Sequence, residues 1–179
     1  MTIDGFVARP DGALDWMWIS GAPGAGGMQK VIEMADSSDT ILLGRKMTKE
    51  FIDHWENVVD NLPESAEQPL AQRMVNLNKI AFSRTTKEIN GRNLSVENGD
   101  LATVIGKLKN QPGKDLLVYG GANFVSSLIS LDLIDEYHFV VNPVAIGSGL
   151  RIFMGDKLLR LESSVSFPGG KVWSIYLRG

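Results

Sequence analysis

A chain of 179 residues, 44% hydrophobic and 22% charged, has the make-up of a globular domain able to bury a substantial core. Its formal net charge of -3 gives no attraction to nucleic-acid phosphates or anionic lipid, so neither is expected as a partner. Cysteine is absent, which excludes disulfides, thiolate metal sites and a cysteine nucleophile and favours the cytoplasm. The longest apolar runs, Thr40 to Leu43 and Phe139 to Val141, fall far short of the roughly 20 residues of a membrane helix, and the amino terminus lacks the regions of a signal peptide.

From Asp4 to Gly27, glycine, proline and aspartate are interspersed with Trp16 and Trp18, the composition of an ordered loop over a site rather than a linker. Apolar positions at Met28, Val31, Ile32 and Ala35 predict a helix over 28–35, and Thr40 to Leu43 a buried strand. Gly44 marks a strand-to-helix turn. Met47, Phe51 and Trp55 recur at helical spacing and predict a helix over 46–54 running directly out of it. A further helix is expected over 65–77, a strand over 79–83, a short strand over 94–96, and a helix over 101–109 capped by Asp100. Asp115 to Tyr119 is a third buried strand, and Gly120-Gly121 passes into a helix whose apolar face includes Phe124, Val125, Leu128 and Ile129. Strands alternating with helices argue for a parallel sheet with crossover helices. After Leu133 the pattern becomes strands over 137–141, 158–167 and 171–177, the last two joined by a hairpin at Pro168-Gly169-Gly170, expected as antiparallel strands closing one edge. No repeat or boundary interrupts the chain, so one domain over 1–179 is expected.

Three strand ends could hold a phosphate. Gly44-Arg45-Lys46 opens a helix with two cations. Helix amino termini attract phosphate, glycine lets it approach the backbone, and a guanidinium binds its oxygens in pairs. Ser83-Arg84-Thr85-Thr86 sets hydroxyls beside a guanidinium, a combination suited to a 2′-phosphate, whereas an acidic residue there would favour NAD. Gly120-Gly121-Ala122-Asn123 has two successive residues without Cβ, where a pyrophosphate can rest on backbone amides, although it is not the dinucleotide fingerprint G-x-G-x-x-G. Each alone reads equally well as an ordinary turn. Three at successive strand ends, where α/β sheets hold ligands, read as a dinucleotide site. His54 and His138 lie on different elements and Gly-x-Ser-x-Gly is absent, so no metal site, catalytic triad or hydrolase elbow is expected; His138 reads as core or dimer surface.

Taken in order, Thr2-Ile3-Asp4-Gly5-Phe6, Leu43-Gly44-Arg45, Ser83-Arg84-Thr85, Gly120-Gly121, Leu133-Ile134-Asp135-Glu136 and Pro143-Val144 with Ile146-Gly147 and Gly149 resemble the reductase domain at the carboxyl end of the bifunctional riboflavin-biosynthesis deaminase-reductase. The similarity runs over nearly the whole chain. It implies a dihydrofolate-reductase-like three-layer α/β fold, with a mostly parallel central sheet, antiparallel carboxyl-terminal strands and flanking helices. It also implies NADPH as cofactor and a homodimer, for which the antiparallel strands are the expected surface. By the same resemblance Gly44 and Arg45 meet the cofactor phosphates, Ser83, Arg84 and Thr85 the adenosine phosphate, and Gly120 and Gly121 the pyrophosphate and nicotinamide side, with a cis peptide between the two glycines. The segment from Pro143 to Gly149 either shapes the neighbouring wall or is a structural connection.

Asp4 matches the family's Asp-Gly motif and is the candidate catalytic residue, or else caps the turn ahead of Gly5. Asp15, Trp16 and Trp18 are substrate candidates on the loop, the tryptophans either stacking on a flat heterocycle or packing in the core. Glu33 is a further candidate acid or a solvated helix residue. Relatives carry threonine two residues after the arginine, where this chain has Met47 and then Thr48. They also have a strand ahead of Thr-Ile-Asp-Gly, so a stunted strand or an upstream start is expected. No deaminase zinc-ligand pattern precedes the motifs, as in a stand-alone member, whose substrate need not be the same. The expected activity is NADPH-dependent hydride transfer to a small pteridine-like or ribosylaminopyrimidine-like molecule, as in 5-amino-6-(5-phosphoribosylamino)uracil reductase. Dihydrofolate reduction and a nucleotide-binding dimer without turnover are the alternatives.

Overall fold

A computed structural model describes residues 1–19 and 25–179, and these gather into two compact units, Met28–Phe124 and Met1–Gly27 with Val125–Gly179. The part of the expected loop over 20–24 lies outside the described residues.

The first unit contains α1 (Ala25–Ser37, from Met28 on), β1 (Ser38–Gly44), α2 (Arg45–Asn61), α3 (Gln68–Asn76), β2 (Asn78–Phe82), β3 (Leu94–Glu97), α4 (Leu101–Lys109) and β4 (Asp115–Gly120). Its four strands form an all-parallel sheet in the order β3-β2-β1-β4. The central strand β1 is buried along almost its whole length, which is why it reads as a continuous apolar run rather than an alternation. Ile41 and Leu43 pack with Phe51, Ile52, Trp55 and Val58 of α2 and with Leu70, Ala71, Met74 and Val75 of α3. The stripe at Phe51 and Trp55 continues through Val58, so α2 runs to Asn61, well past the expected end. Asp100 caps α4 as expected, its Oδ2 accepting from the Thr103 amide at 2.9 Å.

In the second unit, α5 (Ala122–Ser130, from Val125 on) leads to β5 (Glu136–Val141), β6 (Leu159–Ser166) and β7 (Val172–Arg178). These strands were expected at an edge of the parallel sheet; they pair instead as an antiparallel sheet of their own, in the order β5-β7-β6. The β6–β7 hairpin closes with Gly169 and Gly170 at φ +85° and +80°, a conformation glycine adopts without steric cost. The amino-terminal segment forms no strand. The Thr2 amide donates to the Phe6 carbonyl at 2.8 Å and the Gly5 amide to the Thr2 carbonyl at 3.1 Å, so donors that a ladder would use are spent in a turn. Two isolated bridges remain, Thr2 with Asn142 and Ala8 with Leu150. Tyr137, Phe139, Phe153 and Tyr176 form an aromatic group, whereas β6 is an edge strand exposed almost throughout. No described helix is long and apolar enough to cross a membrane.

A buried charge closes the first unit. Lys79 on β2 is 1% exposed, and its Nζ donates to the carbonyls of Met74 (2.9 Å), Val75 (2.8 Å) and Leu77 (2.7 Å) at the carboxyl end of α3. Burial pushes this ammonium down to about 8, with Glu56 opposing. Those carbonyls have no partner inside the helix, and the lysine replaces the water they would otherwise need. Lys79→Met keeps the apolar stem and removes the donors; it is expected to cost about 2–4 kcal/mol, measured as a lower denaturation midpoint at unchanged slope.

Candidate active site

In a parallel sheet every strand ends at the same edge. Here β1 pairs Gly44 with Phe82 of β2 and Leu43 with Gly120 of β4. The turns that follow these strands therefore stand side by side, one strand spacing of about 4.8 Å apart. All three belong to the unit of Met28–Phe124.

The first turn is set by Gly44, which precedes α2 in extended conformation with no side chain capping the helix. The first-turn amides of α2 are thus left to another acceptor. A Cβ on Gly44 would lie 2.7 Å from Phe124 Cβ and 3.4 Å from the Gly121 nitrogen, so only glycine lets the first and third turns close together. Arg45 and Lys46 are exposed, and Lys46 lines an open groove along α2 with Lys49, Asp53 and Asn57. Two residues after Arg45, Met47 packs on the third turn: a Cβ on Gly120, which sits at φ +141°, would meet its Sδ at 2.9 Å. The Thr48 hydroxyl is buried and donates to the Gly44 carbonyl at 3.1 Å, so it is spent inside the protein.

In the third turn the Gly120–Gly121 peptide is cis, as the resemblance implied. Ala122 is half-buried at the start of α5 and Asn123 is exposed. Phe124 stacks on Phe82 with ring centroids 5.1 Å apart, joining this turn to the second. There Ser83 is buried, its Oγ accepting from the amides of Thr86 (2.8 Å) and Thr85 (3.3 Å), while Arg84 and Thr85 are exposed. Asn98, which the sequence reading missed, donates from Nδ2 to the carbonyls of Ser83 (2.7 Å) and Thr86 (2.8 Å). Its one sequence signal is the Asn98-Gly99 turn pair between β3 and α4.

The other candidates lie in the second unit. Asp4 Oδ2 accepts from the amides of Gly147 (2.8 Å) and Ile146 (3.0 Å), tying down the Pro143 to Gly149 segment. The nearby Thr2 hydroxyl and then these amides hold its carboxyl below the ordinary value, so it is ionised at neutral pH and accepts hydrogen bonds rather than donating a proton. The Thr2 hydroxyl also lies 3.3 Å from the Phe6 carbonyl, and the buried Asp4 Oδ1 has no hydrogen-bond partner among the described residues. Asp15 pairs with Arg9 at 2.5 Å. Trp16 is buried, with no hydrogen bond to its indole nitrogen among the described residues, and Trp18 is 59% exposed. Glu33, by contrast, lies on α1 in the first unit, exposed beside Lys30. His138 is engaged within its sheet, between the Glu136 carboxylate and the Trp173 indole nitrogen.

The sequence model of the RibD C-terminal domain matches residues 1–172. The chain belongs to this family. The uncharacterized protein YyaP of Bacillus subtilis (strain 168) is 31% identical to it over 180 residues, spanning 98% of this chain and 90% of YyaP. Among solved structures, a protein assigned to riboflavin biosynthesis in Shewanella sp. PV-4 superposes with a TM-score of 0.75 at 19% identity, covering 100% of this chain and 95% of that one. The diaminohydroxyphosphoribosylaminopyrimidine deaminase/5-amino-6-(5-phosphoribosylamino)uracil reductase of Thermotoga maritima gives 0.68 at 16% identity, covering 99% of this chain and 54% of that one. A dihydrofolate reductase of Enterococcus faecalis complexed with NADP(H) gives 0.59 at 11%, covering 100% and 92%. At these identities the structural likeness establishes the dihydrofolate-reductase-like fold, and family membership makes the chain a reductase-like protein of the riboflavin-biosynthesis type.

In this RibD C-terminal domain the charge on Asp4 has a stability consequence with a definite sign. Its folded pKa is depressed, so the stabilisation is present above the unfolded value of about 3.9 and is lost as pH falls through the folded value. Asp4→Asn retains an oxygen for the amides but not the charge. Its thermal midpoint is expected below wild type at pH 7, with the two converging as pH falls through the depressed folded value. A gap that stays constant with pH would show that packing, not charge, is what the substitution removes.

Proposed function

We propose that this protein is an NADPH-dependent reductase whose nucleotide lies along the carboxyl edge of the parallel sheet. The observation that carries the reading is the partnering of its arginines. Arg9, Arg73, Arg92, Arg160 and Arg178 pair with carboxylates, and Arg151 lies over the Phe6 ring. Among the described residues Arg45 and Arg84 have neither kind of partner, and they stand on two of the three aligned turns.

The residues present fit a phosphorylated dinucleotide. Arg45 and the uncapped amides of α2 suit the pyrophosphate, with Lys46 adding charge. Arg84 with the Ser83 and Thr85 hydroxyls suits a 2′-phosphate, which favours NADPH over NADH. At Gly121, ahead of Ala122 and Asn123, the place of a Cβ meets only Met47 Cβ at 3.8 Å, which suits close approach on the nicotinamide side, while Gly120 is buried against Met47 Sδ. When bound, the cofactor supplies the hydride, and the chain's own part is to hold and orient it. Family membership supports a small flat heterocycle as substrate, of the ribosylaminopyrimidine kind. In the other unit, Trp18 has an exposed indole that suits stacking on such a ring, and Asp4 carries a fixed negative charge.

We also propose that two copies associate through β6. Leu161 and Val165 are exposed on this edge strand, 53% and 42% respectively. Antiparallel self-pairing centred on Leu161 would set the Arg160 of each copy against the Glu162 of the other. Sedimentation at micromolar concentration is expected to give a dimer mass, and a monomer would remove this assembly.

Titration with NADPH and NADH tests the cofactor reading. Wild type is expected to prefer NADPH, and Arg84→Ala to weaken NADPH about 10- to 100-fold while leaving NADH nearly unchanged, the scale of one or two charge-assisted hydrogen bonds. Binding of neither nucleotide by wild type would overturn the reading. With binding established, NADPH oxidation by the ribosylaminopyrimidine substrate but not by dihydrofolate is the expected turnover.

A further inference from the structure

We propose that Asn98 is a positioning residue for the 2′-phosphate loop and thereby sets the preference between NADPH and NADH; the inference rests on the cofactor reading above. The loop over 83–86 must present Arg84 and Thr85 to an anion while keeping its own carbonyl oxygens away from it. A carbonyl facing a phosphate would repel it, and a four-residue polar loop has little apolar contact to fix its shape. Asn98 answers both needs with one amide. Its nitrogen carries two hydrogens, and its hydrogen bonds go to the Ser83 carbonyl (2.7 Å) and the Thr86 carbonyl (2.8 Å), the first and last of the loop. The loop is thus closed as a ring, with these carbonyls turned toward Asn98.

The amide is itself held on rigid ground. Phe82 pairs in register with Glu97, and the Ser83 amide continues this ladder to the Glu97 carbonyl at 3.0 Å, which places Asn98 directly beside the loop. On its other side, the Gly99 amide donates to Glu97 Oε1 at 2.7 Å and Asp100 caps α4. Asn98 is exposed and outside the apolar core, so replacing it removes the clamp without opening the interior. Ser83 Oγ, bonded to the Thr85 and Thr86 amides, fixes the loop's donors; Asn98 fixes its acceptors.

The test is a double-mutant cycle read by nucleotide titration, with Asn98→Ala, Arg84→Ala and the double variant beside wild type. Asn98→Ala is expected to weaken NADPH about tenfold and NADH less than twofold. The double variant is expected to lose less NADPH affinity than the sum of the two single losses, because the clamp acts in part through Arg84. Asn98→Asp, which has no donor and adds a negative charge, is expected to lose at least as much NADPH affinity as Asn98→Ala. An undiminished NADPH preference in Asn98→Ala, equal weakening of both nucleotides, or additive losses in the double variant would each overturn the clamp while leaving the cofactor reading standing. Failure of wild type to bind either nucleotide would overturn the cofactor reading, and the clamp with it.

Discussion

The register of three parallel strands, Gly44 beside Phe82 and Leu43 beside Gly120, is the constraint on which the candidate cofactor edge depends. It is fixed from below. The Phe51, Trp55 and Val58 face of α2 is committed to the core with Ile41 and Leu43, which ties that helix to the strand it follows. It is fixed from the side by Phe124, whose Cβ occupies the space a side chain on Gly44 would need and whose ring stacks on Phe82. One aromatic residue therefore touches the neighbours of all three turns. Because packed interiors tolerate little change of volume, the turns are held as one surface rather than as three independent loops.

Hydrogen bonds from side chains to main-chain carbonyls complete what packing begins. Lys79 gathers the open carbonyls at the end of α3, and Asn98 gathers those of the loop after β2. In both cases a donor is brought to carbonyls that the local backbone leaves without a partner. Asp4 does the complementary task in the other unit, collecting two amides on one carboxylate oxygen. That role bears on chemistry. An ionised Asp4 supplies charge and order but no proton, so in the proposed reduction the proton would have to come from the substrate, from water or from another side chain.

Much of this was legible in the sequence because periodicity and turn chemistry report burial and backbone conformation directly. The run at Thr40 to Leu43, the stripe through Phe51 and Trp55, the Asp100 cap and the Gly169-Gly170 hairpin each correspond to an element where the residues place it. The family resemblance supplied the fold and the cis peptide between the glycines. What escaped were features set by partners distant in sequence. Asn98 bonds residues 15 and 12 positions earlier, and nothing in an Asn-Gly pair names its acceptors. Lys79 reads as the polar start of a strand, since its burial depends on where α3 ends above it. The grouping of the antiparallel strands into a separate sheet depends on ladder pairing, to which the alternation of apolar residues is blind.

A protein of net charge -3 repels a dinucleotide phosphate at long range, so the proposed binding has to be won by contact. At physiological ionic strength the field of a distant exposed carboxylate is damped within about 8 Å, whereas a guanidinium in hydrogen-bond contact keeps most of its strength. The balance is then decided by where the unpaired cations stand, not by how many the chain has. Arg73 and Arg92 are each matched to a carboxylate on another element, Asp36 and Asp60, and serve the surface of the unit that carries them. Exposed pairs of that kind contribute little to stability, so leaving Arg45 and Arg84 without such partners costs the fold almost nothing. Among the described residues it leaves two guanidinium groups without a carboxylate at the edge where the sheet register has already aligned the turns, and the phosphates of the proposed nucleotide would be their partners.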